Sequence, residues 1–364
     1  MKSSFGNSVS VTISGESHGG ALVAVLSGLA PGIPVDEGFI AAQLTKRRPA
    51  GIISTARRED DKFEILSGVF GGFTTGTPIT ILIPNENTVS RDYSEIACCA
   101  RPGHADYAAQ CKYHGYQDYR GGGHFSGRVT AALVAAGAIT VSALNRRGIK
   151  IGTHIASCGG VKDRAFGNFD GDIDLLNSEN FAVLDAEAGK KMEKAILSAK
   201  ESLDSVGGVL ETAVIGVPAG VGEPFFDSVE SCLSHILFSI PAIKGVEFGS
   251  GFAMADMRAS EANDPFGIDE NGKIQTKTNH NGGINGGITN GAPIIFRCAV
   301  KPTPSVARPQ QTVDFVKEEE KILEIHGRHD PAIVHRARVV ADSAAAIALC
   351  DLLAQRYGTD WLGG

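Results

Sequence analysis

Residues 101–128 constrain this chain more than any other stretch. They run Arg101-Pro-Gly-His104-Ala-Asp106-Tyr107 and, after Lys112-Tyr113, Asp118-Tyr119-Arg120-Gly-Gly-Gly123-His124-Phe125-Ser126-Gly127-Arg128. A regular helix or strand has no use for a Pro-Gly pair and a triple glycine so close together. Arginines, histidines and a serine held on glycine-bounded backbone suit a loop that binds anions and moves protons. Whatever the fold, it must deliver this loop to a pocket.

The 364 residues are enough for a sizeable core. No Pro/Ser linker separates two halves, so the expectation is a single domain spanning 1–364. A net charge of −7 argues against a nucleic-acid-binding face. The basic residues nonetheless cluster, at Lys46-Arg47-Arg48, Arg57-Arg58, Arg101, Arg120, Arg128, Arg328, Arg336 and Arg338. Local arginine clusters in an acidic protein point to a small anionic ligand in a focused pocket, solvated surface arginine being the alternative for any one of them. Seven cysteines with no Cys-x-x-Cys fit a reduced, cytoplasmic compartment. The N-terminus has no apolar signal core, and no apolar run approaches the length of a membrane span.

The pattern predicts strands at 7–14 and 21–28 around a polar turn, Gly15-Glu-Ser17-His18-Gly-Gly20, and a helix capped by Asp36 that ends at Arg48-Pro49. Further strands are expected at 62–70, 78–84, 151–157, 209–217 and 293–300. Helices are expected at 129–147, 183–204, 227–239, 312–326 and 341–357, with 160–182 polar and irregular. The Asn/Gly-rich stretch 278–291 reads as a structured glycine loop near a ligand rather than a linker. Paired strands and separate helical runs favour an α+β architecture.

Four polar segments could carry chemistry or bind an anion. His18 sits in a turn between strands, where a histidine is either a proton donor or a residue bonded to backbone. His104 is flanked by Arg101 and by Asp106, which could orient its ring. Arg328-His329-Asp330 follows a predicted helix end, where an ion pair would serve equally well. Lys301-Pro302-Thr303-Pro304-Ser305 leaves a strand with a cation and two hydroxyls. No dinucleotide fingerprint, Walker loop or nucleophile elbow is present, and Ser17 beside His18 is poorly placed for a serine hydrolase.

Taken together these segments resemble the chorismate synthase family. The matching motifs run from Gly15-Glu-Ser-His-Gly19 through Lys46-Arg-Arg-Pro49, Glu64-Ile-Leu-Ser-Gly-Val-Phe70, Thr74-Thr-Gly-Thr77, Arg101-Pro-Gly-His-Ala-Asp-Tyr107 and Tyr119-Arg-Gly-Gly-Gly123. They continue through Gly216-Val-Pro-Ala-Gly220, Ile243-Lys-Gly-Val-Glu247 and Lys301-Pro-Thr303 to Gly327-Arg-His-Asp-Pro331. They keep family order and cover nearly the whole chain.

The resemblance implies 1,4-anti elimination of phosphate from 5-enolpyruvylshikimate 3-phosphate to give chorismate, with reduced FMN required but no net redox. It implies His18 protonating the departing phosphate, His104 protonating reduced flavin, and Asp330 acting with the flavin on the substrate proton. Ser17, Arg47, Arg48, Arg101 and Arg128 would bind substrate. His124, Phe125, Ser126, Gly286, Lys301, Pro302, Thr303, Pro304, Ser305 and Arg328 would contact flavin. It also implies a layered β-α-β sandwich assembled as a homotetramer, with NADPH as indirect reductant through a separate flavin reductase. A flavin oxidoreductase using NADPH itself and a non-catalytic flavin- or anion-binding module are the alternatives. The chain departs from the family where His124-Phe-Ser-Gly-Arg-Val129 replaces Arg-Ser-Ser-Ala-Arg-Glu, where Ile52 and Ile53 fall in a region that often holds an arginine, where Asp342 replaces glutamate, and where Pro304 replaces serine.

Overall fold

The computed structural model describes residues 2–49, 51–55, 60–86, 97–270, 272–325 and 330–363. Its frame is two five-stranded antiparallel sheets. The first contains β1 (Ser4–Phe5), β2 (Ser10–Ser14), β3 (Ala21–Ser27), β4 (Glu64–Ser67) and β5 (Ile79–Pro84), in the order β1-β2-β3-β5-β4. The second contains β6 (Lys150–Cys158), β7 (Val161–Lys162), β8 (Gly208–Ile215), β9 (Ile243–Phe248) and β10 (Ile294–Val300), ordered β9-β10-β8-β6-β7. Every pairing in both sheets is antiparallel. Strand β3 buries every second residue, the signature of one face on a core.

Six helices carry most of the remaining order: α1 (Glu37–Arg47), α2 (Asp106–Tyr113), α3 (Thr130–Arg146), α4 (Phe169–Ser178), α5 (Ala186–Glu201) and α6 (Val229–Ser239). A seventh, α7 (Val334–Tyr357), closes the chain. Helix α3 packs on β3 and β5 of the first sheet, α7 packs on β6 and β8 of the second, and the two helices pack on each other. Helices enclosed on several sides need apolar residues all round, which the alanine-rich sequences of both supply. Small residues let them approach closely: a Cβ on Gly137 would lie 2.2 Å from Ser343 Cβ. One hydrophobic cluster runs continuously from Val9 to Leu362 through both sheets and these helices.

Local signals account for many boundaries. The Asp36 carboxylate accepts from Phe39 N at 3.0 Å and starts α1, whose Ile40 and Leu44 are fully buried. Gly148 leaves α3 at φ 73. Other expectations give way. Residues 312–326 form no helix; β11 (Gln310–Asp314) and β12 (Glu319–Leu323) pair as a hairpin. The Asp314 side chain accepts from Val316 N and Lys317 N, and Glu318 takes φ 59, so the chain reverses where its charge pattern favoured a helix. The stretch 160–182 contains α4, capped by Asn168 on Gly171 N. Ser228, not Asp227, caps α6, and α7 begins seven residues before the expected 341.

By length and composition Gly127–Arg146 is apolar enough to cross a membrane, contrary to the sequence reading. In the fold 83% of its most apolar window is buried inside the protein, so core packing accounts for that composition. All seven cysteines are free. Asp342, in place of the longer glutamate, reaches Thr153 Oγ1 at 2.6 Å and lies beside Arg338.

Candidate active site

A cavity of about 1850 Å³ collects residues from the 15–20 turn, α1, the 101–128 block, the exit of β10 and the start of α7. His18, Arg47, Arg101, His104, His124, Phe125, Ser126, Arg128, Lys301, Thr303, Pro304, Ser305 and Asp330 all line it. Residues separated by as many as three hundred positions therefore share one wall.

The Arg101-Pro-Gly-His104 turn is braced from within and by the exit of β10. Arg101 donates Nε and Nη2 to the two carboxylate oxygens of Asp106, at 2.8 and 2.7 Å. Asp106 thus orients Arg101, not the His104 ring as its sequence position suggested. That ring is fixed instead by Pro102 O, 3.0 Å from Nδ1, and Ser305 Oγ, 2.8 Å from Nε2. A carbonyl only accepts, so the neutral ring carries its proton on Nδ1 and accepts from Ser305 at Nε2. Burial first, and then the Arg101 charge, hold the His104 pKa down to about 4. Gly103, at φ 71, donates no side chain because Pro304 occupies the space, and its carbonyl accepts from Lys301 Nζ at 2.5 Å. The β10 exit is thereby fastened to the His104 turn.

The triple glycine shapes a further part of the wall. Gly121, Gly122 and Gly123 take φ values of 59, 81 and 54, a run in left-handed space that other residues resist. A Cβ on Gly121 would fall 2.3 Å from the His18 ring. The turn bearing His18 is anchored here too: Ser17 N donates to Gly123 O at 3.0 Å, and His124 Nδ1 donates to Gly15 O at 2.8 Å. Arg120 forms a two-pronged pair with Asp118, at 2.8 Å for each contact.

A buried carboxylate ties the remaining arginines together. Asp61 is completely enclosed, pairs with Arg47 at 2.8 Å, bonds Arg128 closely, and lies 3.8 Å from Arg48. Asp330 accepts from Thr55 N at 2.8 Å and pairs tightly with Arg336, which also donates to Arg47 O at 2.9 Å. Behind it the buried His335 meets Ser54 Oγ at 2.8 Å.

Not every expected residue reaches the wall. Ser17 is buried behind it, and Arg48 and Pro302 are absent from its lining. Gly286 occupies the turn between Ile284–Asn285 and Ile288–Thr289 at φ 62, also away from the lining. Arg328 lies outside the described residues, as do Arg57 and Arg58. Sequence reasoning missed Asp61, Thr55, Asp118 and the Pro241-Ala242 step that also lines the cavity. Ala242 has φ 78, an unusual value for alanine, but nothing in its sequence announces it.

Comparison with known proteins bears on this arrangement as a whole. A family model described as chorismate synthase matches residues 9–354. The chain is 46% identical over 351 residues to the chorismate synthase of Thermococcus gammatolerans, covering 96% of this chain and 97% of that protein. It is 47% identical over 358 residues to that of Lachnoclostridium phytofermentans, covering 96% and 95%. A solved structure described as a crystal structure of chorismate synthase matches with a TM-score of 0.77 and 31% identity, over 97% of this chain and 94% of that one.

Proposed function

The chain belongs to the chorismate synthase family, lyases of the shikimate pathway, and from that premise we propose that this cavity is where 5-enolpyruvylshikimate 3-phosphate loses phosphate and a ring proton to become chorismate. The observation that carries the assignment of the site is the convergence of His18, His104 and Asp330 on one cavity with Arg47, Arg101 and Arg128. A substrate with one phosphate and two carboxylates matches a wall of oriented guanidinium groups.

His18 acts on the phosphate side of the substrate, protonating the oxygen that leaves as the C–O bond breaks. Asp330 lies on the wall where Arg336 and the Thr55 amide fix its carboxylate, positioned to take up the proton removed from the ring. His104 is neutral near physiological pH. An anion brought against it offsets the Arg101 charge and raises its proton affinity, so its protonation accompanies ligand binding.

The residues present fit a reduced FMN. Thr303 Oγ1 and Gln117 Oε1 are buried beside the cavity with no hydrogen-bond partner among the described residues, and Phe125 and Tyr113 offer flat apolar faces. Lys301, Thr303, Ser305 and His124 to Ser126 would hold it, with Arg328 as a further contact carried over from the family pattern. When bound, reduced FMN would lend an electron transiently to the substrate and recover it, with no net oxidation.

The remaining parts of the reading extend the same premise. The two sheets with α3 and α7 between them form a β-α-β sandwich in one domain, assembled as a homotetramer. The enzyme works in the cytoplasm, with NADPH acting indirectly through a separate flavin reductase. The test is an anaerobic assay of the purified protein with chemically reduced FMN and substrate. Phosphate and chorismate should appear in equal amounts, and no release of phosphate would sink the assignment. NADPH oxidation by the protein and FMN alone would overturn the need for a separate reductase.

A further inference from the structure

We propose that Asn85 is a positioning residue for this reaction, locking the His18 turn and the Arg128 guanidinium into a single unit. The inference rests on the reading of His18 as proton donor. Asn85 follows the last residue of β5, is half-buried, and does not line the cavity, so it acts only through others. Its Nδ2 donates to Glu16 O and Gly19 O, both at 2.9 Å, the two carbonyls that bracket Ser17-His18. Its backbone N donates to Gly20 O at 3.1 Å. Its Oδ1 accepts from Arg128 Nε at 3.2 Å.

The amide cannot be turned over. Two carbonyls face one end and a guanidinium N–H faces the other, so only one orientation satisfies all three contacts. The opposite side of the turn is held by Gly123 O on Ser17 N and by His124 on Gly15 O. Asn85 supplies the complementary side, so the His18 backbone is fixed at both flanks. Arg128 is fastened at its far end by Asp61. A chain Asp61–Arg128–Asn85 thus sets how the anion-binding arginine sits relative to the proton donor. Asparagine suits this role because it carries a donor and an acceptor on one short, stiff planar group. Neither aspartate nor leucine, of similar size, offers both.

The two ends of the amide can be separated experimentally. Asn85→Asp keeps an acceptor for Arg128 but sets a carboxylate against two carbonyls. Asn85→Ala removes both ends. Single-turnover and steady-state phosphate release are measured for these variants in the wild-type and His18→Ala backgrounds, with thermal melting as a check on folding. Asn85→Asp should lower kcat about 10²-fold, the scale of an ångström-sized misplacement, with KM changed less than about threefold. Asn85→Ala should lower kcat similarly and also raise KM. In the His18→Ala background Asn85→Asp should cost less than about twofold more, because the group it positions is already gone. The inference is overturned by an unchanged kcat in Asn85→Asp, by kcat and KM shifting alike in the two variants, or by equal losses in both backgrounds. If Asn85→Asp folds poorly, Asn85→Ala in both backgrounds decides the same question. Failure of the wild-type protein itself to release phosphate would instead overturn the assigned activity.

Discussion

His335 offers a quantitative test of how the site is built, because its charge is suppressed by the fold itself. The ring lies on the first turn of α7, almost wholly enclosed, with Nε2 2.8 Å from Ser54 Oγ. Burial, aided by the neighbouring Arg336 charge, pushes its pKa down to about 3. In the unfolded chain the same ring titrates near about 6.5. Between those values the unfolded state holds the proton and the folded state does not, so stability is fully present above about pH 6.5 and falls as the pH drops below it. At about pH 5 the unfolded ring is about 1.5 units below its pKa while the folded ring is still neutral. At about 1.36 kcal/mol per unit, this one histidine then costs about 2 kcal/mol relative to about pH 7.5. His335→Gln removes the titration and keeps a polar group facing Ser54. Denaturant unfolding of both proteins at the two pH values gives the comparison. The wild type should lose about 2 kcal/mol more than the variant on going to the lower pH. His104, with its lowered pKa, and His154, whose carboxylate partners raise its pKa, are present in both proteins and cancel. Parallel loss in the two proteins would refute the claim that the ring is held neutral. The consequence reaches the cavity: Ser54 precedes Thr55, and His335 precedes Arg336, which are the two residues that grip Asp330.

Three substitutions probe the packing around the site and the core. Gly121→Ala places a Cβ 2.3 Å from the His18 ring and 2.8 Å from Ser17 Oγ, at a φ of 59. It should lower kcat about 10²-fold in the anaerobic phosphate assay, and normal turnover would show that the ring is not held against the glycine run. His104→Ala should reduce kcat by about 10- to 10³-fold, the range for one acid–base group, and near-normal kinetics would remove its role. Gly137→Ala drives a methyl group to within 2.2 Å of Ser343 Cβ between α3 and α7. Overpacking there should cost about 1–3 kcal/mol or more in denaturant unfolding, and an unchanged midpoint would mean the helices separate freely.

What could be read from the residues divides by range. Helix α1 was legible because Asp36 caps it, Pro49 stops it, and its buried residues recur at helical spacing. The hairpin at 310–323 was not, because Lys317 to Lys321 looks helical by composition and its reversal depends on one Asp314 side chain and one left-handed glutamate. In the site, the chemically dense motifs announced His18, His104 and Asp330, and the resemblance linked segments that no local pattern connects. Asp61, Asn85 and His335 stayed silent. Each is one polar residue whose partner lies 14 to 281 positions away, and a lone aspartate or asparagine at a strand end carries no signature of that partner. Only the closed fold supplies the second half of such pairs.

The arginine cluster also means something different in three dimensions. In sequence it suggested a focused pocket for a small anionic ligand inside an acidic protein. In the fold five of the described arginines already have a carboxylate from the chain: Asp106 for Arg101, Asp118 for Arg120, Asp61 for Arg47 and Arg128, and Asp330 for Arg336. With those guanidinium groups so paired, raw charge is not what such a wall chiefly supplies. Orientation is. A guanidinium has five N–H donors in a rigid fork, and Arg101 gives two of them to Asp106 along one edge. That contact fixes the plane of the fork while its other edge keeps donors directed elsewhere. A flexible cation would have to be ordered when the substrate arrives, whereas these are ordered by folding, which lowers the entropic cost of binding and of reaching the transition state. The carboxylates also keep neighbouring guanidinium groups from repelling one another in a buried setting, where an unpaired charge is expensive. An overall charge of −7 and a site for a multiply anionic substrate are therefore compatible, because Asp61, Asp106, Asp118 and Asp330 hold the arginines in place rather than oppose them.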